Sequence, residues 1–275
     1  MRRAAFILAL SVAASAARAE APRIVTAGSA VTEIVCALGL GTQLVAVDTS
    51  SKHLDETRDK PDIGYVRQLG AEGVLSQRPD LVIVSGEAGP PEVLDQIRAA
   101  GIGLLVVEKG ETLESIPGKI RTIAKATGRG GQGDALAAKV EAETGDLRRK
   151  VAAGSEKPSV IFLMARHGGN LMAAGRGTAA HAMIEASGGC NAGDSFDGYK
   201  PLSPEIFAAS APDYVIVSES VGTDDAAFVD SVPGLPSTPA GKNSRIIRVD
   251  DTAFLGFGPR APASAMAVAG VLQKR

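Results

Sequence analysis

Short, β-branched apolar runs recur along the chain, each bounded by turn residues and separated from the next by a stretch with helical patterning. Residues 23–26, 44–47 and 81–85 in the first half, and 159–164, 214–218 and 245–249 in the second, read as buried strands. Two of these runs belong to a repeat. Leu69-Gly-Ala-Glu72, six residues and Pro79-Asp80-Leu-Val-Ile-Val-Ser85 return 133 positions later as Leu202-Ser-Pro-Glu205, six residues and Pro212-Asp213-Tyr-Val-Ile-Val-Ser218. Each copy predicts a short helix, a Pro-Asp turn and a strand. Strands alternating with helices imply βαβ units, so the expected fold is α/β: two Rossmann-like lobes with parallel sheets. Between them, residues 134–151 are rich in Ala, Glu, Lys, Leu and Arg, contain no Pro, and are followed by Gly154, which predicts one sustained helix. The expected division is a lobe over 20–127, a connecting helix over 128–154 and a second lobe over 155–275, with a ligand cleft between the lobes. If the helix bridges both lobes rather than packing on one, only small hinge motion is expected.

The start of the chain has a different pattern. Met1-Arg2-Arg3 precedes apolar residues 4–14 and an Ala17-Arg18-Ala19 exit, the marks of a secretory signal peptide over residues 1–19. Its apolar middle is shorter than the roughly 20 residues that a membrane helix needs. Cleavage after Ala19 leaves 256 residues with a formal charge of −5 and no Cys at the cut for an acyl anchor, so a free periplasmic protein of a two-membrane bacterium is expected. A mildly acidic chain with no Trp, three Tyr and no basic run has neither the charge nor the stacking surface of a nucleic-acid binder. Cys36 and Cys190 lie far apart in apolar, small-residue segments and read as two buried free thiols, although an oxidising compartment permits a disulfide.

Candidate chemistry narrows the picture by elimination. Three scattered His and two separated Cys give no ligand spacing for zinc or manganese. The glycines of Ala174-Gly175-Arg-Gly177-Thr178 match neither G-x-G-x-x-G nor G-x-x-x-x-G-K-[ST]. There is no G-x-S-x-G elbow and no His arranged with a nucleophile and a carboxylate, so catalysis is not indicated.

The opening Arg23-Ile-Val-Thr-Ala-Gly28 with Thr32-Glu33, the two Pro-Asp-strand repeats, the connecting helix, and Ala174-Gly175 to Thr178 followed by Gly188-Gly189 span the mature chain. Together they resemble the periplasmic binding proteins of ABC importers for haem, ferric siderophores and cobalamin. Gly64-Tyr65-Val66-Arg67-Gln68-Leu69 and Gly256-Phe257-Gly258-Pro259-Arg260 make the chain most similar to the haem-specific branch. That resemblance implies a monomer that carries haem to an inner-membrane ABC permease dimer with its ATPase. A ferric siderophore or cobalamin binder of the same fold is the alternative, and a secreted α/β enzyme a more distant one.

The resemblance also implies roles for residues. Tyr65 would be the haem iron ligand, since a phenolate is a hard anionic donor suited to ferric iron; spacing alone equally allows a rim tyrosine with a packed ring and a wet hydroxyl. Arg67 would hydrogen-bond the phenolate or meet a propionate, and Arg166 and Arg260 are further propionate partners. His167 follows a strand at the carboxyl end of the sheet, where open α/β sheets bind ligands, and is a second-ligand candidate or a solvated loop histidine. The repeat puts Gly198-Tyr199 within one residue of the position equivalent to Gly64-Tyr65. Tyr199 is therefore expected on the opposite wall, stacking on a porphyrin, ligating a second iron or simply packing in its loop. His181 and His53 read as structural or surface residues. Glu72 and Glu205 fall at equivalent places in the two copies; family resemblance makes them a two-point dock for permease arginines, against the ordinary reading of solvated helix charges.

Overall fold

The computed structural model describes residues 21–165, 171–219, 221 and 224–273. The first lobe runs β1 (Ile24–Ala27), α1 (Ser29–Ala37), β2 (Leu44–Val47), α2 (Ala71–Leu75), β3 (Leu81–Ser85), α3 (Pro91–Ala99), β4 (Gly103–Val107) and α4 (Ile116–Ala126). Its strands are all parallel in the order β2-β1-β3-β4. Successive residues of a strand point to opposite faces, so β3 divides between two cores. Ile83 joins α1 and α4 through Ile34, Val35, Ile116 and Ile120. Val82 and Val84 join α2 and α3 through Val74, Val93 and Ile97. Burial on both faces is why these strands read as unbroken apolar runs.

α5 (Gly130–Ala152) follows, and then the second lobe: β5 (Ser159–Ala165), β6 (Leu171–Ala174), α6 (Ala179–Ala186), β7 (Cys190–Asn191), β8 (Tyr199–Pro201), α7 (Pro204–Ser210), β9 (Tyr214–Ser218), α8 (Asp225–Ser231), α9 (Pro239–Lys242), β10 (Ile246–Val249), α10 (Asp251–Leu255) and α11 (Ala261–Leu272). The sheet order is β10-β9-β5-β6-β8, with β7 beside β5. β10, β9 and β5 are parallel, but β6 is antiparallel to β5 and β8 to β6. The second sheet is thus mixed where a parallel one was expected. Five positions separate β5 from β6, too few for the crossover of a dozen or more residues that a parallel partner requires.

The Pro-Asp repeat acts as a strand tie made twice. The Asp80 carboxylate accepts the Arg23 N–H at 2.8 Å, and that of Asp213 accepts the Ser159 N–H at 3.0 Å. In return the Asp80 and Asp213 N–H groups donate to the Arg23 and Ser159 carbonyls at 2.9 and 2.8 Å. Each aspartate therefore pins the start of β3 or β9 to the start of β1 or β5 through a charge-assisted bond.

α5 packs on α4 of the first lobe and on α11 and α6 of the second. Its approach to α4 is close enough that a Cβ on Gly133 would collide with the Cβ of Ala124. Ala137, Val140 and Leu147 of α5 join one apolar cluster that includes Ile120 and Ile123 of the first lobe and Phe162, Val268 and Leu272 of the second. Both cysteines are free, but Cys190 is exposed and Cys36 only partly buried. The burial expected for Cys190 fails because successive strand residues face opposite ways, and in the two-residue β7 Asn191 takes the buried side. Among the described residues no helix is long and apolar enough to cross a membrane.

Candidate functional site

Tyr65 stands on a turn that the local sequence builds from backbone upward. Gly64 takes φ +93°, a conformation that side chains rarely adopt. Its N–H donates to Asp62 Oδ1 at 2.8 Å and its carbonyl accepts from the Thr49 N–H at 3.0 Å. The Gln68 N–H then closes the turn on the Tyr65 carbonyl at 2.7 Å. Val66 and Leu69 go into the core, which leaves Tyr65 facing outward with 46% of its surface exposed. The surface it faces is a cavity of about 400 Å³ between the lobes. Val31, Val107 and Lys119 of the first lobe and Met164, Leu255 and Phe257 of the second line it. Both lobes therefore supply apolar surface, beside the charged side chains of Glu87, Glu108, Lys109, Glu111 and Asp251.

A charged strip borders the tyrosine. Arg67 donates through Nε and Nη2 to Glu87 Oε2 at 3.1 and 2.6 Å. Lys109 lies 3.7 Å from the same oxygen and 2.7 Å from Glu111 Oε1. Glu87 holds the Arg67 guanidinium above its ordinary pKa, and Tyr65 is near enough to add to the effect. Exposed pairs of this kind contribute little to stability, so they can rearrange around a ligand at small cost.

Tyr199, on β8, is a third exposed. Its hydroxyl lies beside Thr178 and the Ala180 N–H at the start of α6. Burial pushes its pKa up, and Glu111 of the first lobe pushes it further. A second-lobe phenol that feels a first-lobe carboxylate lies across the gap, next to the cavity rather than in its lining.

At the base of the lobes, Lys119 is nearly buried, and its ammonium donates to the Gly110 carbonyl at 2.7 Å and the Phe257 carbonyl at 3.2 Å. Burial lowers its pKa to about 8. Nothing in the sequence pattern had drawn attention to it. Arg260, expected as a propionate partner, is not in the cavity lining. Its N–H donates to Glu33 Oε1 at 2.8 Å, its Nε lies 3.2 Å from Glu33 Oε2, and its Nη1 lies 2.7 Å from Asp250 Oδ2. Arg260 is thereby committed to bracing α1 of the first lobe against the second. Burial raises the Glu33 pKa while Arg260 pulls it back. Asp250 is held down to about 2: burial opposes this, but bonds from Thr252, Arg260 and Ala253 prevail. His53 joins the same cluster, its Nε2 3.3 Å from Arg260 Nη2 and its Nδ1 3.0 Å from the Ser50 carbonyl. His181 is a structural residue of α6, 3.2 Å from the Asn191 amide.

Glu72 and Glu205 are both exposed second residues of short helices, outside the cavity lining. A hydrogen bond with Ser203 holds the Glu205 carboxyl below its ordinary pKa. Arg166 and His167 lie outside the described residues. Among the described residues no cluster of three or more His, Cys, Asp or Glu side chains is arranged to hold a metal ion.

Residues 24–253 match the periplasmic binding protein family. The chain belongs to that family. Its members and the similar solved structures are substrate-binding transport proteins rather than enzymes. Among solved structures, it is similar to the apo form of the periplasmic haem-binding protein RhuT from Roseiflexus sp. RS-1, at 41% identity and TM-score 0.84, covering 92% of this chain and 98% of that one. The periplasmic haem-binding protein BhuT, solved in complex with two haems, matches at 37% identity and TM-score 0.84, with the same coverage. Among curated proteins, an uncharacterised ABC transporter substrate-binding lipoprotein YvrC of Bacillus subtilis is 25% identical over 88% of this chain and 76% of its own length. A vitamin B12-binding protein of Pectobacterium carotovorum is 28% identical over about half of each chain, 49% and 48%.

Proposed function

We propose that this member of the family captures haem in the periplasm and delivers it to an inner-membrane ABC transporter. The observation that carries the reading is Tyr65, presented half-exposed on the wall of an interlobe cavity with a cation two residues away. Likeness to haem-binding proteins at 41% and 37% identity over nearly the whole chain supports it.

In this reading the phenolate oxygen of Tyr65 ligates ferric iron. Val31, Val107, Met164, Leu255 and Phe257 cover the porphyrin faces. Arg67 is the propionate or phenolate partner on the first lobe, and Arg166 and His167 are assigned to the second-lobe side. Tyr199 closes the opposite edge. Glu72 and Glu205, exposed and equivalent in the two copies, dock on the two subunits of a permease dimer.

Titration of the mature protein with hemin, cyanocobalamin and a ferric siderophore tests the reading. Hemin is expected to bind with a phenolate-to-iron charge-transfer band, and Tyr65→Ala to abolish the band and greatly weaken binding while the fold survives. Tight cobalamin binding without hemin binding would move the assignment to cobalamin capture, in line with the vitamin B12-binding relatives.

A further inference from the structure

Lys119 belongs to α4, and it is on the helix's buried side with Ile116, Ile120 and Ile123 rather than on the solvated side where a helical lysine normally lies. Only 8% of it is exposed, yet it lines the interlobe cavity. Its ammonium has three donors. Two of them meet backbone carbonyls, Gly110 from the first lobe and Phe257 from the second. Among the described residues no carboxylate lies within ion-pair distance of it: of the acids lining this cavity, Glu87 and Glu111 are paired with Arg67 and Lys109, and neither Glu108 nor Asp251 pairs with Lys119.

A buried cation that meets only neutral carbonyls is poorly compensated for its lost hydration. The surroundings hold it there. The Phe257 backbone takes φ +50°, a strained value for a non-glycine residue, and the Phe257 ring lies 5.9 Å from the ammonium. Both lobes thus contribute groups to one preformed, nearly buried cationic point in the lining of a cavity of mixed apolar and charged character. A ligand that brings a carboxylate to this point supplies the missing counter-charge and the third acceptor.

We propose that Lys119 is the carboxylate anchor of the cleft, a specificity-determining residue that selects ligands with an acid group at their edge. Resting on the haem reading, that group is a propionate. A flat macrocycle held by iron at Tyr65 alone would be free to rotate in its plane; a second, charged contact fixes its orientation. A porphyrin without acid groups would enter the same cavity and find a desolvated ammonium unmatched.

The test is a cycle of two ligands and three proteins: hemin and hemin dimethyl ester against the parent, Lys119→Gln and Lys119→Met. Gln still offers N–H donors to the two carbonyls but no charge; Met removes both. The parent is expected to prefer hemin to the ester by on the order of tenfold or more, the size of a charge-assisted hydrogen bond. Both variants should lose most of that preference by weakening hemin while leaving the ester within about twofold, as double-mutant logic requires. Equal weakening of both ligands, or a preserved preference, overturns the assignment and leaves Lys119 as a brace between lobes. Should Met prevent folding, the Gln variant alone decides. Failure of the parent to bind either ligand with a Tyr65-dependent band would instead overturn the haem reading itself, and this anchor with it.

Discussion

Replacing Arg260 by Met should expose how the lobes are braced. Glu33 is 7% exposed, and its carboxylate has two partners, both from residue 260: the backbone N–H and the guanidinium. Removing one member of a buried pair costs about 3–5 kcal/mol. The Arg260 side chain is itself 41% exposed and the N–H remains, so we expect about 2–3 kcal/mol after allowing for water that takes its place. The deficit should depend on pH. Glu33 in the folded parent already titrates above its ordinary 4.5 because of burial, and without Arg260 it rises further. The folded state then binds more protons than the unfolded one between 4.5 and that raised value, so stability falls as pH climbs through the window. Asp250, held at about 2 partly by Arg260, loses its advantage in the same direction. Urea midpoints at about pH 4.5 and about pH 8 measure the effect, and Arg260→Met with Glu33→Gln should recover at least half of the loss at the higher pH, because a neutral amide can still accept the N–H. An unchanged midpoint, or a loss equal at both pH values, would refute the idea that Arg260 compensates a buried charge.

Gly133→Ala should destabilise by about 1–3 kcal/mol through overpacking against Ala124, although Ala is the better helix former; a raised thermal midpoint would contradict the close approach of α4 and α5. Lys119 has its pKa lowered from 10.5 to about 8. The unfolded chain therefore binds more protons in that window, and the parent should gain about 3 kcal/mol relative to Lys119→Met as pH rises through it; a constant difference in denaturation midpoints would refute this. Charge reversal of both Glu72 and Glu205 to Lys should leave hemin affinity nearly unchanged but reduce uptake in reconstituted vesicles, more than either single reversal and more strongly at low ionic strength. Normal uptake by the double variant would return both glutamates to the status of solvated helix charges.

Local pattern carried some of these features and not others. The Pro-Asp repeat was legible because one physical device, an aspartate tying two strand starts, needs the same residues in the same order each time. α5 was legible from its uninterrupted helix formers, though its true start at Gly130 was hidden because Gly130, Gly131 and Gly133 lower the helix propensity of its first turn; of the three, Gly133 is the one held against α4. The antiparallel turn of β6 and β8 was missed because apolar runs report burial and not strand direction. Tyr65 was singled out through its motif, and the turn at Gly64 explains the motif's glycine. The tie between Arg260 and Glu33 was not legible, because the two are 227 residues apart and no local signal links them. Lys119 was overlooked for a similar reason: a lysine within an amphipathic helix looks solvated until the tertiary fold brings the carbonyls of Gly110 and Phe257 to it.

The apolar cluster that passes through α5 has a consequence for how the chain is made. Its members include Val268 and Leu272 of α11, which packs against α5, α6, α10 and β10. Until those last residues have been synthesised, α5 lacks its α11 neighbour and meets the second lobe only through earlier elements such as α6. The first lobe can form its sheet early, but the side of α5 that meets α11 stays apolar and uncovered until the end of translation. Such a nascent chain depends on being shielded from its neighbours until its end is released, and a copy that stops short of α11 would be a target for clearance rather than a smaller working protein.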